Sequence, residues 1–181
     1  MRNALLITLL LFYLQKTVFG QATSGSATVS LTLSEIAMLD IEPNSSPISI
    51  PLTAPTEAGS PIANKVLTNA KWLNFTSAVT TRSTRNITAQ ISSGTLPAGT
   101  ELKIAASTYI GTGAGTLGTI SGIQTLSATP KSIVTGIGGA YSGNGANNGY
   151  GINYTLSVTN FAVISKQTSS TITITFTLID N

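Results

Sequence analysis

From Thr28 onward the chain alternates. Val29, Leu31 and Leu33 are separated by Ser30 and Thr32, a period of two that puts the apolar side chains on one face of a strand. The pattern predicts a half-buried strand. Glu35 to Glu42, with Ile36, Met38, Leu39 and Ile41, fits a strand or one helical turn. Pro43-Asn44-Ser45-Ser46-Pro47 is a turn signal. Ile48, Ile50 and Leu52 resume the alternation, with Pro51 marking an edge or a strand end. Thr53 to Ile62 reads as a loop.

Further along, Val66 to Thr76, Asn86 to Ile91 and Glu101 to Ala106 are predicted strands, the last two as a hairpin-type pair across Ser92–Thr100. A glycine-threonine loop, 111–118, is followed by shorter strands at Ile120–Leu126 and Ile133–Ile137 around Pro130. A glycine- and asparagine-rich loop covers 138–151. Ile152, Tyr154, Leu156 and Val158 form one face of the next strand, and Phe161–Ile164 is a connection, with a helical turn as one form. Thr171 to Leu178 closes the chain, with Ile172, Ile174, Phe176 and Leu178 alternating against threonines. Roughly eight to ten short strands without a long helical period predict an all-β fold: an antiparallel, immunoglobulin-like β-sandwich, with a closed barrel as its rival.

The first residues are of another kind. Arg2 precedes an apolar run from Ala4 to Leu14, and Lys16 closes it. The run is too short to span a bilayer. Small residues follow, so cleavage is expected after Gly20 or Ala22. Residues 1–22 are read as a secretory signal peptide and 23–181 as one domain. No later stretch is apolar and long enough to cross a membrane, so no integral membrane segment is expected in the mature chain. Its expected location is the periplasm, the cell surface or outside the cell.

Composition narrows the chemistry. The chain has no cysteine and no histidine, which removes disulfides, thiolate catalysis and the commonest general base and metal ligand. Charged residues are only 8%, far below the usual quarter. The net charge of +3 loses Arg2 and Lys16 with the leader, and +3 − 2 = +1, too little to attract nucleic acid. Lys65, Lys71, Arg82 and Arg85 read as a solvated face. Gly113 to Gly118 matches the spacing GxGxxG, but a dinucleotide site needs a helix next, and Thr119-Ile120-Ser121-Gly122-Ile123 is not helix-forming. Asp40 and Glu42 would share one side of a strand, a thin basis for a calcium site. No enzyme activity and no cofactor are expected.

Loops commonly carry binding. Within 138–151, Tyr141 and Tyr150 flank Asn144, Asn147 and Asn148, and flat aromatic faces beside amides suit a glycan. These five residues are the candidate ligand loop. Tyr154 follows the core face, and Trp72 reads as a core plug.

The two terminal strands, 26–33 and 171–178, lack charge and proline. Natural sheet edges are usually blunted, because a bare edge recruits another chain. Each segment should therefore be paired. Pairing in cis would place both inside one monomer. Pairing in trans would make Val29, Leu31 and Leu33 a donor strand completing a neighbour. This layout, with segments such as Ile36-Ala37-Met38-Leu39-Asp40-Ile41-Glu42 and Trp72-Leu73-Asn74-Phe75-Thr76, resembles fimbrial or pilus subunits and spore-coat-U-type surface β-sandwich proteins, in a style similar to secreted proteins of the Bacteroidetes. The resemblance implies a structural or adhesive surface subunit polymerising by strand exchange into a fimbria-like filament. Many such subunits carry a disulfide, which this chain cannot form. The alternative is a monomeric secreted module that binds a glycan or a surface protein.

Overall fold

A computed structural model of the chain describes residues 25–166 and 170–181. The expected leader and both expected cleavage points lie outside the described residues. The chain divides into two units, Met1–Leu33 and Ser34–Asn181.

The second unit is a sandwich of two antiparallel sheets. Its strands are β1 (Ile36–Glu42), β2 (Lys65–Ala78), β3 (Arg85–Ser93), β4 (Thr100–Ala106), β5 (Ala114–Gly115), β6 (Thr119–Ile120), β7 (Gln124–Thr125), β8 (Lys131–Ile137), β9 (Ala140–Tyr141), β10 (Tyr150–Val158) and β11 (Thr173–Asp180). A 3-10 turn covers Phe161–Val163. The larger sheet runs β5-β9-β2-β10-β4-β7, with β1 also on β2, and the smaller runs β11-β3-β8-β6. The 14 residues of β2 are shared lengthwise. Lys65 to Leu73 meet β10, and Trp72 to Ala78 meet β1. Among the described residues no helix is long and apolar enough to cross a membrane.

Period-two burial builds the core. Leu73 and Phe75 of β2, Ile87 and Ala89 of β3, Leu102 and Ile104 of β4, Ile133 and Ile137 of β8, and Tyr150, Ile152 and Tyr154 of β10 form one buried cluster. Burying a large apolar side chain of this kind contributes roughly 1.5–3 kcal/mol, which is what favours the two-layer arrangement over separate hairpins.

Several local readings change in three dimensions. Residues 86–106 are not a hairpin. β3 pairs with β11 and β8, whereas β4 pairs with β10 and β7, in the other sheet. The connection between them crosses the sandwich, with Gly94 and Gly99 at φ 80° and 75°. A Cβ on Gly94 would lie 2.2 Å from the Thr171 carbonyl oxygen and one on Gly99 2.2 Å from that of Asn160, so close backbone approach as well as the turn requires glycine there. Residues 120–126 are likewise split, β6 joining β8 and β7 joining β4, with Gly122 at φ 77° between them.

Ile48, Ile50 and Leu52 form no strand, although all three are half-buried and the two isoleucines pack on the core. Pro47 and Pro51 leave that segment short of main-chain donors. Trp72 is buried but is not a plug between the sheets. Leu73 and Phe75 face the inter-sheet cluster, Trp72 is outside it, and alternation places it on the outer face of β2.

Candidate functional site

Three regions carry the candidate residues: the 138–151 loop, the rim where β1 and β11 approach, and the segment 25–33. In the loop the structure separates the five candidates. Tyr150 is only 2% exposed. Its ring stacks on Phe75 at 6.1 Å and meets the edge of Tyr109 at 5.8 Å. Its hydroxyl points between the carbonyls of Leu117 and Gly118, at 3.0 and 3.2 Å. Burial, and then the neighbouring Tyr109, push its hydroxyl pKa upward. Tyr150 is therefore a core residue rather than a ligand contact. The amide nitrogen of Asn148 donates to Asn144 O at 2.8 Å, and its backbone carbonyl accepts from Asn74 Nδ2 at 2.7 Å. Asn148 shapes the loop. Asn147 is exposed and sits at φ 65°, a left-handed position that asparagine tolerates.

Ser142, fully buried, fastens this loop. Its backbone N–H donates to Phe75 O at 2.9 Å and its Oγ accepts from Phe75 N at 2.8 Å. What remains on the surface is Tyr141, 51% exposed, with Asn144. Met38, Thr76 and Tyr141 are register partners across β1, β2 and β9. They line a shallow depression of about 500 Å³ together with Asp40, Asn74 and Asn144. Sequence reasoning placed Tyr141 and Asn144 here but missed Met38, Asp40 and Thr76, because cross-strand neighbours are far apart along the chain.

At the rim, β1 is bonded only to β2 and β11 only to β3 among the described residues. A groove of about 600 Å³ runs between them, its apolar wall made by Leu39, Ile41, Phe176 and Leu178. Leu39, Ile41, Ile174, Phe176 and Leu178 all pack on the core while staying half-exposed.

Arg85 closes one end of this rim. It is 3% exposed and was not separable by sequence from a solvated cation. Its guanidinium pairs with Asp180 at 2.8 Å and with Glu35 at 2.5 Å. It also donates to the carbonyls of Ile36 and Ala78 and to Ser77 Oγ. One buried cation thus ties the start of β1, the end of β2, the start of β3 and the end of β11. Lys71 is buried too, its ammonium donating to Asn44 O at 2.7 Å. The solvated-face reading fails for both residues, since each finds carbonyl or carboxylate partners that replace water.

Segment 25–33 forms no strand, contrary to the half-buried strand its alternation predicts. Val29, Leu31 and Leu33 are 74%, 90% and 82% exposed. Alternation supplies one apolar face but no partner, and a lone strand leaves its main-chain groups unpaired.

The remaining candidates have simple placements. Gly113–Gly118 is followed by the two-residue strand β6 rather than a helix. Asp40 Oδ1 accepts from the next backbone N–H, Ile41, at 2.7 Å, and among the described residues no cluster of three or more potential metal ligands includes Asp40 or Glu42. No protein-family model, curated protein or solved structure matches this chain.

Proposed function

We propose that this chain is an exported structural or adhesive surface subunit, without enzyme activity, that joins copies of itself through residues 27–33. One observation carries the reading: three apolar side chains on an uncharged, alternating segment are left almost fully exposed. Ordering the segment costs about 1–2 kcal/mol per residue in backbone entropy. Burying Val29, Leu31 and Leu33 returns roughly 1.5–3 kcal/mol each. The two are comparable, so the segment orders when a sheet edge adds main-chain hydrogen bonds to the burial. Strand addition supplies both. The leader-like residues 1–22 support export.

The test uses the full chain, expressed with its leader and purified after export. Size-exclusion chromatography and negative-stain microscopy should show polymers, lost on deletion of residues 25–34. A well-folded monomer at every concentration, unchanged by the deletion, overturns the proposal.

A second reading is favoured by the depression around Tyr141. A half-exposed aromatic ring beside Asp40, Thr76 and Asn144 suits the apolar face and hydroxyls of a pyranose. A glycan array should then give signals that Tyr141→Ala abolishes. Tyr150→Ala does not test this, because it opens the core.

A further inference from the structure

We propose that the free edge of β11 is the acceptor for residues 27–33 of a second copy, bonded antiparallel with Leu31 opposite Phe176. The inference rests on the reading that this segment is the assembly element, and adds where it docks.

The edges compete unequally. β1 carries Asp40 and Glu42. The amino-terminal half of β2 carries Lys65 and Lys71 and a left-handed Asn69 at φ 48°. β5, β6 and β7 are two residues long. Charges, irregular backbone and shortness all blunt an edge. β11 has 8 residues with neither charge nor proline before Asp180, and among the described residues its other side has no strand partner.

Among the described residues the groove beside it also lacks a cover. Phe176 and Leu178 line it, and with Ile174 they pack on the core yet remain half-exposed. An added strand presenting Val29, Leu31 and Leu33 would seal that face. Length and charge match. Seven residues span about 23 Å and eight about 26 Å, and both strands are uncharged over the paired stretch.

Polarity follows from Arg85. It touches Ile36 at the start of β1 and Asp180 at the end of β11, so the two strands run in opposite directions from that end. An antiparallel guest sets Val29 opposite Leu178, Leu31 opposite Phe176 and Leu33 opposite Ile174, apolar against apolar on the inward face. The guest's Glu35 then falls near Ile172, beyond the paired stretch. A chain filling its own groove would instead run parallel to β11. It would need a tight reversal at Ser34-Glu35, which offers neither glycine nor asparagine. The contact is therefore head-to-tail, and such contacts extend into filaments when they do not close.

The chain has no cysteine, so paired cysteines report this register cleanly. The proposed alignment sets Ser30 against Thr177 on the solvent face, at a spacing where directly opposed residues can form a disulfide. Exported Ser30→Cys and Thr177→Cys chains are mixed under mild oxidation, with Ser30→Cys plus Thr173→Cys as the out-of-register control. The expected result is a disulfide-linked pair of unlike chains from the first mixture, at least ten-fold more abundant than from the control. Polymers without that link, or equal linking in the control, overturn the β11 assignment while self-assembly stands. A third sample, one chain carrying both Ser30→Cys and Thr177→Cys, reports pairing in cis: a link that forms within that chain but not in the mixture overturns the assignment. A chain that stays monomeric in chromatography and forms no link removes the assembly reading and this inference together.

Discussion

Residues 27–33 and 173–179 are written in the same style. Both alternate apolar residues with threonine or serine, and both lack charge. Their fates differ. β11 lies along β3 in a register running from Thr173–Ser93 to Asp180–Arg85, with Ile174, Phe176 and Leu178 half-buried. The amino-terminal segment forms no strand and exposes its three large side chains. The difference teaches that alternation specifies readiness to pair rather than a partner. β11 has a ladder because β3 presents one, and Arg85 fixes its end.

Identical substitutions in the two segments give the sharpest contrast. Phe176→Asp places a charge among core-facing side chains, and a loss of about 3 kcal/mol or more is expected, read as a lower urea midpoint. Next comes the clamp. Arg85→Ala removes five polar contacts, two of them to carboxylates, and should cost about 2–3 kcal/mol. Asp180→Asn should cost less than about 1 kcal/mol, because Asp180 is 78% exposed. Equal losses from Arg85→Ala and Asp180→Asn would show that the clamp acts through that single pair.

Alkaline titration probes the centre of the sandwich, away from both segments. Burial raises the pKa of Tyr154, and burial with the neighbouring Tyr109 raises that of Tyr150. A tyrosine whose folded pKa lies above its unfolded value near 10 contributes stability that is fully present below pH about 10. That contribution is lost as the pH climbs from there through the folded pKa. Urea midpoints should hold from pH 7 to 9 and fall above 10, and Tyr154→Phe should make the fall shallower. An unchanged slope in that variant would locate the alkaline transition elsewhere. The smallest effect closes the comparison: Leu31→Asp should leave the monomer's stability within about 0.5 kcal/mol, while abolishing polymers. A large loss of monomer stability would mean that the segment already has a partner.

Much of the all-β architecture was legible in the sequence. β2, β4, β8, β10 and β11 fall close to their alternating runs, because burial on one face of a strand is a local rule. The candidate sites were less legible. Tyr150 and Tyr141 read alike along the chain, yet one stacks on Phe75 inside the core and the other stands half-exposed. Arg85 looked like any surface cation, since Glu35 and Asp180, 50 and 95 residues away, give no local sign of meeting it.

By itself the sequence determined the period-two pattern, the leader-like start, the near absence of charge and the lack of thiol and imidazole chemistry. These depend on residue type and short spacing alone. Only the tertiary structure decided that β3 and β4 belong to opposite sheets, that Trp72 faces outward from the inter-sheet core, that Arg85 is buried, and that, among the described residues, β11 keeps a bare edge while Val29, Leu31 and Leu33 stand uncovered. Those outcomes depend on which distant segment supplies the next row of hydrogen bonds. A strand carries donors and acceptors on both of its sides, and nothing in its own alternation says what will meet them.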